Sequence, residues 1–394
     1  MMAAMNSEEL LGRLIGFDTT SKTSNLELID FVRNLLQDHG IGSTLVPNED
    51  QTRANLYATI GPDDVGGIML SGHTDVVPTT GQDWNSDPYQ MKVDDQLYTG
   101  RGSCDMKGFI ASVLSTLPQM TDKRLLTPIH LAFSYDEEVG CVGARKLVSA
   151  MQGFDVKPNL ALIGEPTSMA MVLGHKGKLA YTVSFSGLSC HSAYIKNGVN
   201  AVEYAAELIS FISKMNQKMI ERNHLNDGYS VPHSTFHVGN IRGGTALNIV
   251  PSLCEFEFEI RNLPEQDLDA LAHEIKHYAN EVLLPDMKTR FEHSSIEFTQ
   301  LSHYPGLNTA ADSEVINYTR SINPVDKIGD NVSFGTEAGL FDAIGINSVV
   351  CGPGSIDQAH KPDEFVSREQ MQCCDQMIEN LVERCRKQAG THSH

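Results

Sequence analysis

Gly67-Ile68-Met69-Leu70-Ser71-Gly72-His73-Thr74-Asp75-Val76-Val77-Pro78 runs an apolar strand straight into an imidazole and a carboxylate. A short apolar run bounded by glycine and proline reads as a buried strand. His73 and Asp75 are two apart, so on extended backbone they point the same way. A ligating imidazole usually gives its second N–H to a carboxylate, and Asp75 suits that role. The pattern returns downstream. Ile129 to Ser134 reads as a strand that leads to Asp136-Glu137-Glu138. Leu160 to Gly164 leads to Glu165-Pro166-Thr167, and Ser348 to Cys351 leads through Gly352-Pro353-Gly354 to His360. Asp105, in Gly102-Ser103-Cys104-Asp105-Met106-Lys107-Gly108, opens a helix instead. In open parallel sheets, sites assemble at the carboxyl ends of the strands. Residues far apart in sequence can therefore converge there.

The intervening stretches fit that frame. Glu8 to Ile15, Leu26 to Asp38, Lys107 to Leu117 and Gly143 to Met151 carry helical apolar spacing, and Asn55 to Ile60 is a further strand. Strands alternating with helices predict an α/β domain with a mainly parallel sheet. The texture changes near Gly177. Lys178 to Phe185 reads as an exposed strand, Asn200 to Arg222 and Leu268 to Val282 as helices, and Phe236 to Ile241 and Cys254 to Arg261 as strands. Cys254, Phe256, Phe258 and Ile260 alternate with Glu255, Glu257, Glu259 and Arg261, the pattern of a sheet wet on one face. The expectation is an α/β domain, residues 1–177 and 299–394, interrupted by an inserted α+β domain, residues 178–298. Thr391 to His394 is a polar tail expected to fray.

Two imidazoles and three carboxylates can hold two divalent ions if one carboxylate bridges. That ligand set suits zinc, with cobalt or manganese as substitutes. Glu137, directly beside Glu138, is a spare carboxylate able to take a proton from water. Each motif alone has a plainer reading: a loop histidine, a helix-capping aspartate, a solvated acid pair. Their joint occurrence, in order and mostly at strand ends, favours the metal reading. Gly100-Arg101-Gly102 lacks the third glycine of a nucleotide loop and reads as a tight turn. No G-x-S-x-G elbow supports a serine nucleophile.

Composition narrows the function further. The chain has 394 residues, a net charge of −20 and 41% hydrophobic residues. Such an acidic surface argues against nucleic acid or an anionic membrane as partner. No run of about 20 apolar residues is found, so no membrane span is expected. Met1 to Leu10 shows no basic segment followed by an apolar one, so no secretory signal is expected and the cytoplasm is. The eight cysteines contain no C-x-x-C pair and read as free thiols.

These motifs resemble the two-zinc aminoacylase and carboxypeptidase-G-like metallopeptidases. Further segments carry the likeness: Phe17-Asp18-Thr19-Thr20-Ser21, Gly164-Glu165-Pro166-Thr167-Ser168, Gly174-His175-Lys176-Gly177, Thr336-Glu337-Ala338, and Gly352 to His360. Those around Glu337 and from Gly352 to Glu364 are similar to the deacetylase branch rather than the desuccinylase branch. The resemblance implies a catalytic domain with an inserted lid and dimerisation domain. It implies hydrolysis of a small N-acyl amino acid, two zinc ions per subunit and a homodimer joined through the strand and helix between Lys178 and Arg222. One ion would be held by His73 and Glu165, the other by Glu138 and His360, with Asp105 bridging through a cis peptide to Met106. Glu137 would be the general base and acid. His191, on the lid, would stabilise the oxyanion, from the partner subunit. Cys190 stands beside it where a smaller residue is usual. Asn248, Arg261, Gly354 and Ser355 would contact substrate. A cationic substrate would need a buried acceptor, and Glu337 is the candidate, with a structural carboxylate as the alternative. The rival functions are another acyl-amino-acid hydrolase or dipeptidase of this family, and a binding protein that kept the fold.

Overall fold

A computed structural model of the chain describes residues 5–221 and 225–387. The tail Thr391 to His394 and the expected helix end at Arg222 lie outside them. The chain divides into two compact units. The first comprises Met1–Gly174, Thr309–Asp330 and Thr336–His394, and the second His175–Asn308 with Asn331–Gly335.

The first unit is built on a six-stranded sheet. Its strand order is Ser43–Pro47, Ala54–Ile60, Ile129–Ser134, Ile68–His73, Leu160–Ile163, Asn347–Val350. The last four run parallel, and the first two pair antiparallel along one side. Ile68–His73 is buried along its whole length, as a parallel strand covered on both faces must be. Helix Lys107–Ser115 packs against it, and Val142–Met151 and Glu314–Ile322 pack on its neighbours. Helix Arg368–Cys385 is capped by the Ser367 side chain, which accepts from Gln370 N–H. It buries Met371, Cys374, Met377, Ile378, Leu381, Val382 and Cys385, the three-and-four spacing of an amphipathic helix.

Register brings the strand ends level. His73 lies opposite Ser134, Ser71 opposite Ile163, and Ile163 opposite Val350. The loops that follow carry Asp75, Glu137, Glu138, Glu165 and the segment to His360. One glycine is required on this row. A Cβ on Gly164 would sit 1.9 Å from the Phe109 ring, so only glycine lets Glu165 leave the strand there.

The second unit is an antiparallel sheet ordered Thr235–Gly243, Leu253–Asn262, Gly177–Ser186, Ser295–Tyr304. Helices Ala201–Glu221 and Leu268–Tyr278 pack against it. The alternation in Leu253–Asn262 holds: Cys254, Phe256, Phe258 and Ile260 are buried while Glu255 and Glu257 are exposed. Gly177–Ser186 corrects the expectation of an exposed strand. It has neighbours on both sides and buries Leu179, Tyr181, Val183 and Phe185. It therefore has no free edge to offer a second subunit; the free edges of this sheet are Thr235–Gly243 and Ser295–Tyr304. The strand Ser295–Tyr304 carries this unit past residue 298 to Asn308.

Candidate metal centre

His73, Asp105, Glu138, Glu165 and His360 converge at the carboxyl end of the parallel strands. His73 Nε2 lies 2.9 Å from Asp105 Oδ1 and 3.9 Å from Glu165 Oε1. His360 Nε2 lies 3.3 Å from Asp105 Oδ2 and 2.9 Å from Glu138 Oε2. The two oxygens of Asp105 thus face two different imidazoles, as a bridging carboxylate requires. Asp105 and Met106 are joined by the expected cis peptide.

The donor set fits two divalent cations. Donor atoms around a tetrahedral zinc lie roughly 3.4 Å apart when the bonds are about 2.1 Å, and the four separations bracket that value. Acidic groups outnumber the imidazoles, and Glu138 Oε1 is buried without a hydrogen-bond partner. The protonation energetics agree. Burial pushes Glu165 well above the usual carboxylate range, and Asp105 adds to it. Burial and Asp105 likewise raise Glu138 to about 7. Hydrogen bonds to Asp105 and Glu138 raise His360 to about 10. Against the effect of burial, His360 and His73 hold Asp105 low. These shifts describe a pocket short of positive charge, which protons supply when no metal does.

Which nitrogen of His73 is available to a metal follows from its other partner. His73 Nδ1 lies 2.9 Å from the backbone carbonyl of Asp75, which can only accept. Nδ1 therefore keeps its proton, and Nε2 is the nitrogen that would ligate once it gives up the proton that, against the effect of burial, Asp105 and Glu165 favour there. The Asp75 carboxylate, expected on that nitrogen, is 3.6 Å away and has other work. It accepts from Glu137 N–H at 2.9 Å, Glu138 N–H at 3.3 Å and the Ser21 hydroxyl at 2.7 Å. Asp75 fixes the loop that carries both glutamates.

Glu137 also falls in a potential ligand group with His73 and Glu165. Pairing separates the two glutamates better than distance does. Glu138 faces His360, whereas Glu137 Oε1 accepts only a thiol proton from Cys141 at 3.3 Å. Burial raises Glu137 to about 8, with Glu138, Asp75 and Asp105 adding to it against the pull of His73.

Glu337 is 1% exposed. Its oxygens accept from the hydroxyls of Ser71 and Ser134, on the two strands that lead to His73 and Glu137. This geometry favours the structural alternative over direct contact with a substrate cation. Gly354 takes φ +85°, and a Cβ there would meet Cys104 Sγ at 2.6 Å. The same thiol donates to the Ser355 carbonyl at 3.3 Å, so the Gly354-Ser355 turn rests on the residue preceding Asp105.

His191, Asn248 and Arg261 belong to the second unit. Asn248 O accepts from Ser192 N–H at 3.0 Å, which ties it to the His191 segment. His191 Nδ1 accepts from Ala193 N–H at 3.1 Å, leaving the exposed Nε2 as the donor nitrogen. Arg261 Nε donates to Glu259 at 2.9 Å, so part of its guanidinium is already engaged. Sequence reasoning assigned no role to Ser21, Gln82, Arg101, Cys141 or Glu364, which the fold brings around this centre. Glu364 stands four residues after His360, and that proximity was the available signal.

The profile of peptidase family M20/M25/M40 matches residues 69–384. An acetylornithine deacetylase of Pasteurella multocida is 32% identical over 363 residues, 91% of each chain. One from Proteus mirabilis is 32% identical over 371 residues, 93% of this chain and 92% of that one. In structure, an M20 family metallo-carboxypeptidase from Sulfolobus solfataricus superposes with a TM-score of 0.74 at 17% identity, over 97% of this chain and all (100%) of that one. The chain belongs to peptidase family M20/M25/M40 and is a metal-dependent hydrolase.

Proposed function

We propose that the chain cleaves N2-acetyl-L-ornithine to L-ornithine and acetate, as a two-zinc enzyme of arginine biosynthesis in the cytoplasm. The observation that carries this reading is the Asp105 carboxylate shared between His73 and His360, with Glu137 beside it. The substrate comes from the relatives named acetylornithine deacetylase. Among the described residues no helix is long and apolar enough to cross a membrane.

His73 and Glu165 would hold one ion, Glu138 and His360 the other, and Asp105 both. Bound zinc supplies Lewis acidity, polarising the acetyl carbonyl and making water more acidic. Glu137 takes the proton of the attacking water and returns it to the departing α-amine. His191, with Nε2 protonated, is the proposed donor to the oxyanion, contributed by the partner in a homodimer. Arg261 pairs with the substrate α-carboxylate, and Asn248 and the Gly354-Ser355 turn complete substrate binding. The homodimer is supported by Ile241, Leu247, Ile249 and Leu253, large apolar side chains left exposed on the second unit.

The test is a specificity panel on the zinc-loaded protein. N-acetylornithine should give the highest kcat/KM among N-acetylornithine, N-acetylmethionine, N-formylmethionine, N-succinyl-diaminopimelate and simple dipeptides. A higher value for any other member would assign the chain to another reaction of this family. No turnover on any of them would favour the binding-protein alternative.

A further inference from the structure

Glu364 is buried beneath the bridging ligand, and its carboxylate is filled with donors. Oε1 accepts from Cys104 N–H at 2.9 Å and from Asp105 N–H at 3.0 Å. Oε2 accepts from Gly102 N–H at 3.0 Å and from Arg101 Nη1 at 2.7 Å. The whole turn that presents Asp105 is therefore wrapped on one side chain from the His360 segment. The contact continues outward. Arg101 Nη2 donates to Gln82 Oε1 at 2.5 Å, and Trp84 Nε1 donates to the same oxygen at 3.1 Å. Two donors on that oxygen fix which way the amide faces. Its Nε2 then donates to the His360 carbonyl at 3.0 Å.

A closed ring results: His360 to Gln82, Gln82 to Arg101, Arg101 to Glu364, Glu364 to Asp105, and Asp105 back to His360 at 3.3 Å. It matters because the backbone of the His360 segment is costly, and besides its own turn bond from Gln358 N–H to Ser355 O at 2.9 Å it is held from residues 82–85, where Asn85 N–H also donates to Asp363 at 3.0 Å. His360 and Asp363 both take positive φ, 63° and 54°, which residues with a side chain adopt at a cost. The His360 side chain is also 52% exposed, whereas its partners Asp105 and Glu138 are buried. An exposed imidazole on such a backbone needs an external brace, and Gln82 is bonded to its own carbonyl.

We propose that Gln82 and Glu364, linked through Arg101, are positioning residues that lock the His360 loop to the Asp105 loop and set the affinity of the metal site formed by Glu138, Asp105 and His360. The inference rests on the two-metal reading given above. Outer partners of metal ligands commonly change affinity by roughly 10–100-fold.

The experiment measures both zinc affinities of the full-length protein by competition with a chromophoric chelator, together with the melting temperature of the metal-free protein. Gln82→Glu keeps an acceptor for Arg101 and Trp84 but removes the donor to His360; Gln82→Ala is its uncharged control. Both variants should weaken one binding event by roughly tenfold or more, leave the other near its wild-type value, and leave the metal-free melting temperature unchanged. Glu364→Gln, which turns an amide NH₂ toward two N–H donors, should weaken the same event at least as much. Wild-type affinities at both sites in all three variants would overturn the inference while leaving the two-metal reading intact. Equal weakening of both sites with a lowered melting temperature would overturn it too, by reducing Gln82 to a stabilising contact. A wild-type protein that binds fewer than two ions would overturn both.

Discussion

The Asp75 carboxylate accepts the backbone N–H of Glu137 at 2.9 Å, and with its other oxygen that of Glu138 at 3.3 Å. One side chain thus sets the spacing between the proposed base and a proposed ligand. Asp75→Asn leaves one oxygen for two N–H groups and the Ser21 hydroxyl. Expected is a fall in kcat of roughly 10–100-fold together with weaker metal retention. Wild-type kcat and metal content in this variant would remove Asp75 from the mechanism.

Glu137→Gln should keep the fold and both metals and lose about 10²–10⁴-fold in kcat, the usual weight of an acid–base group. Metal content by elemental analysis and kcat are measured on the same preparation. Turnover at the wild-type rate would assign the proton transfer elsewhere.

For Glu337, burial and its two hydroxyl partners decide the expectation. Glu337→Gln should lower kcat/KM for N-acetylornithine and for neutral N-acetylmethionine by the same factor. A rise in KM confined to the cationic substrate would restore Glu337 as the acceptor of the substrate ammonium.

Stability should depend on pH through His130. Burial lowers its pKa from 6.5 to about 4; its Nε2 is buried without a partner, and its Nδ1 lies 2.9 Å from the Tyr57 hydroxyl. The unfolded chain takes up this proton near 6.5 and the folded chain only near 4. Its contribution is therefore complete above pH 6.5 and is lost as pH falls toward about 4. Urea unfolding should show a shallower acid slope for His130→Gln than for wild type across that window. Parallel slopes would mean that His130 is already protonated in the fold.

Association is tested at the exposed apolar side chains of the second unit. Sedimentation of the wild type should give a dimer, and Leu247→Asp should shift it toward monomer, since Leu247 is fully exposed in the single chain. A monomeric wild type with full activity would exclude a role for His191 across subunits.

Much of this was legible because local pattern and tertiary burial agreed. Helix Leu26–Asp38 and strand Ile129–Ser134 stand where periodicity put them. The convergence of the candidate ligands was legible because strand ends and ligand residue types coincide. Ser295–Tyr304 was not read as a strand. Its alternation breaks at a bulge between Gln300 and Ser302, so Leu301 is exposed while Ser302 is buried. Ser43–Pro47 is short, half-buried and at the sheet edge, where sequence pattern is weakest. The helix expected to Val282 gives way at Tyr278 to a wider turn over Ala279–Leu283. Nearness to His73 and His360 marked Asp75 and Glu364, but the partners of Asp75, Glu337 and Glu364 are backbone amides and hydroxyls from distant segments, which local sequence does not encode.

The strands Leu160–Ile163 and Asn347–Val350 lie side by side, yet the entire second unit is threaded between them. A ribosome must therefore finish that excursion before the last parallel strand can dock. By then His73, Asp105, Glu138 and Glu165 have long emerged, and His360 has not. A nascent chain at that point carries four of the five candidate donors and lacks the second imidazole. Pairing of parallel strands across so long a sequence separation is intrinsically slow. Completion of the central sheet and of the candidate donor set are thereby coupled in time: His360 joins the other four only when the final quarter of the chain is made.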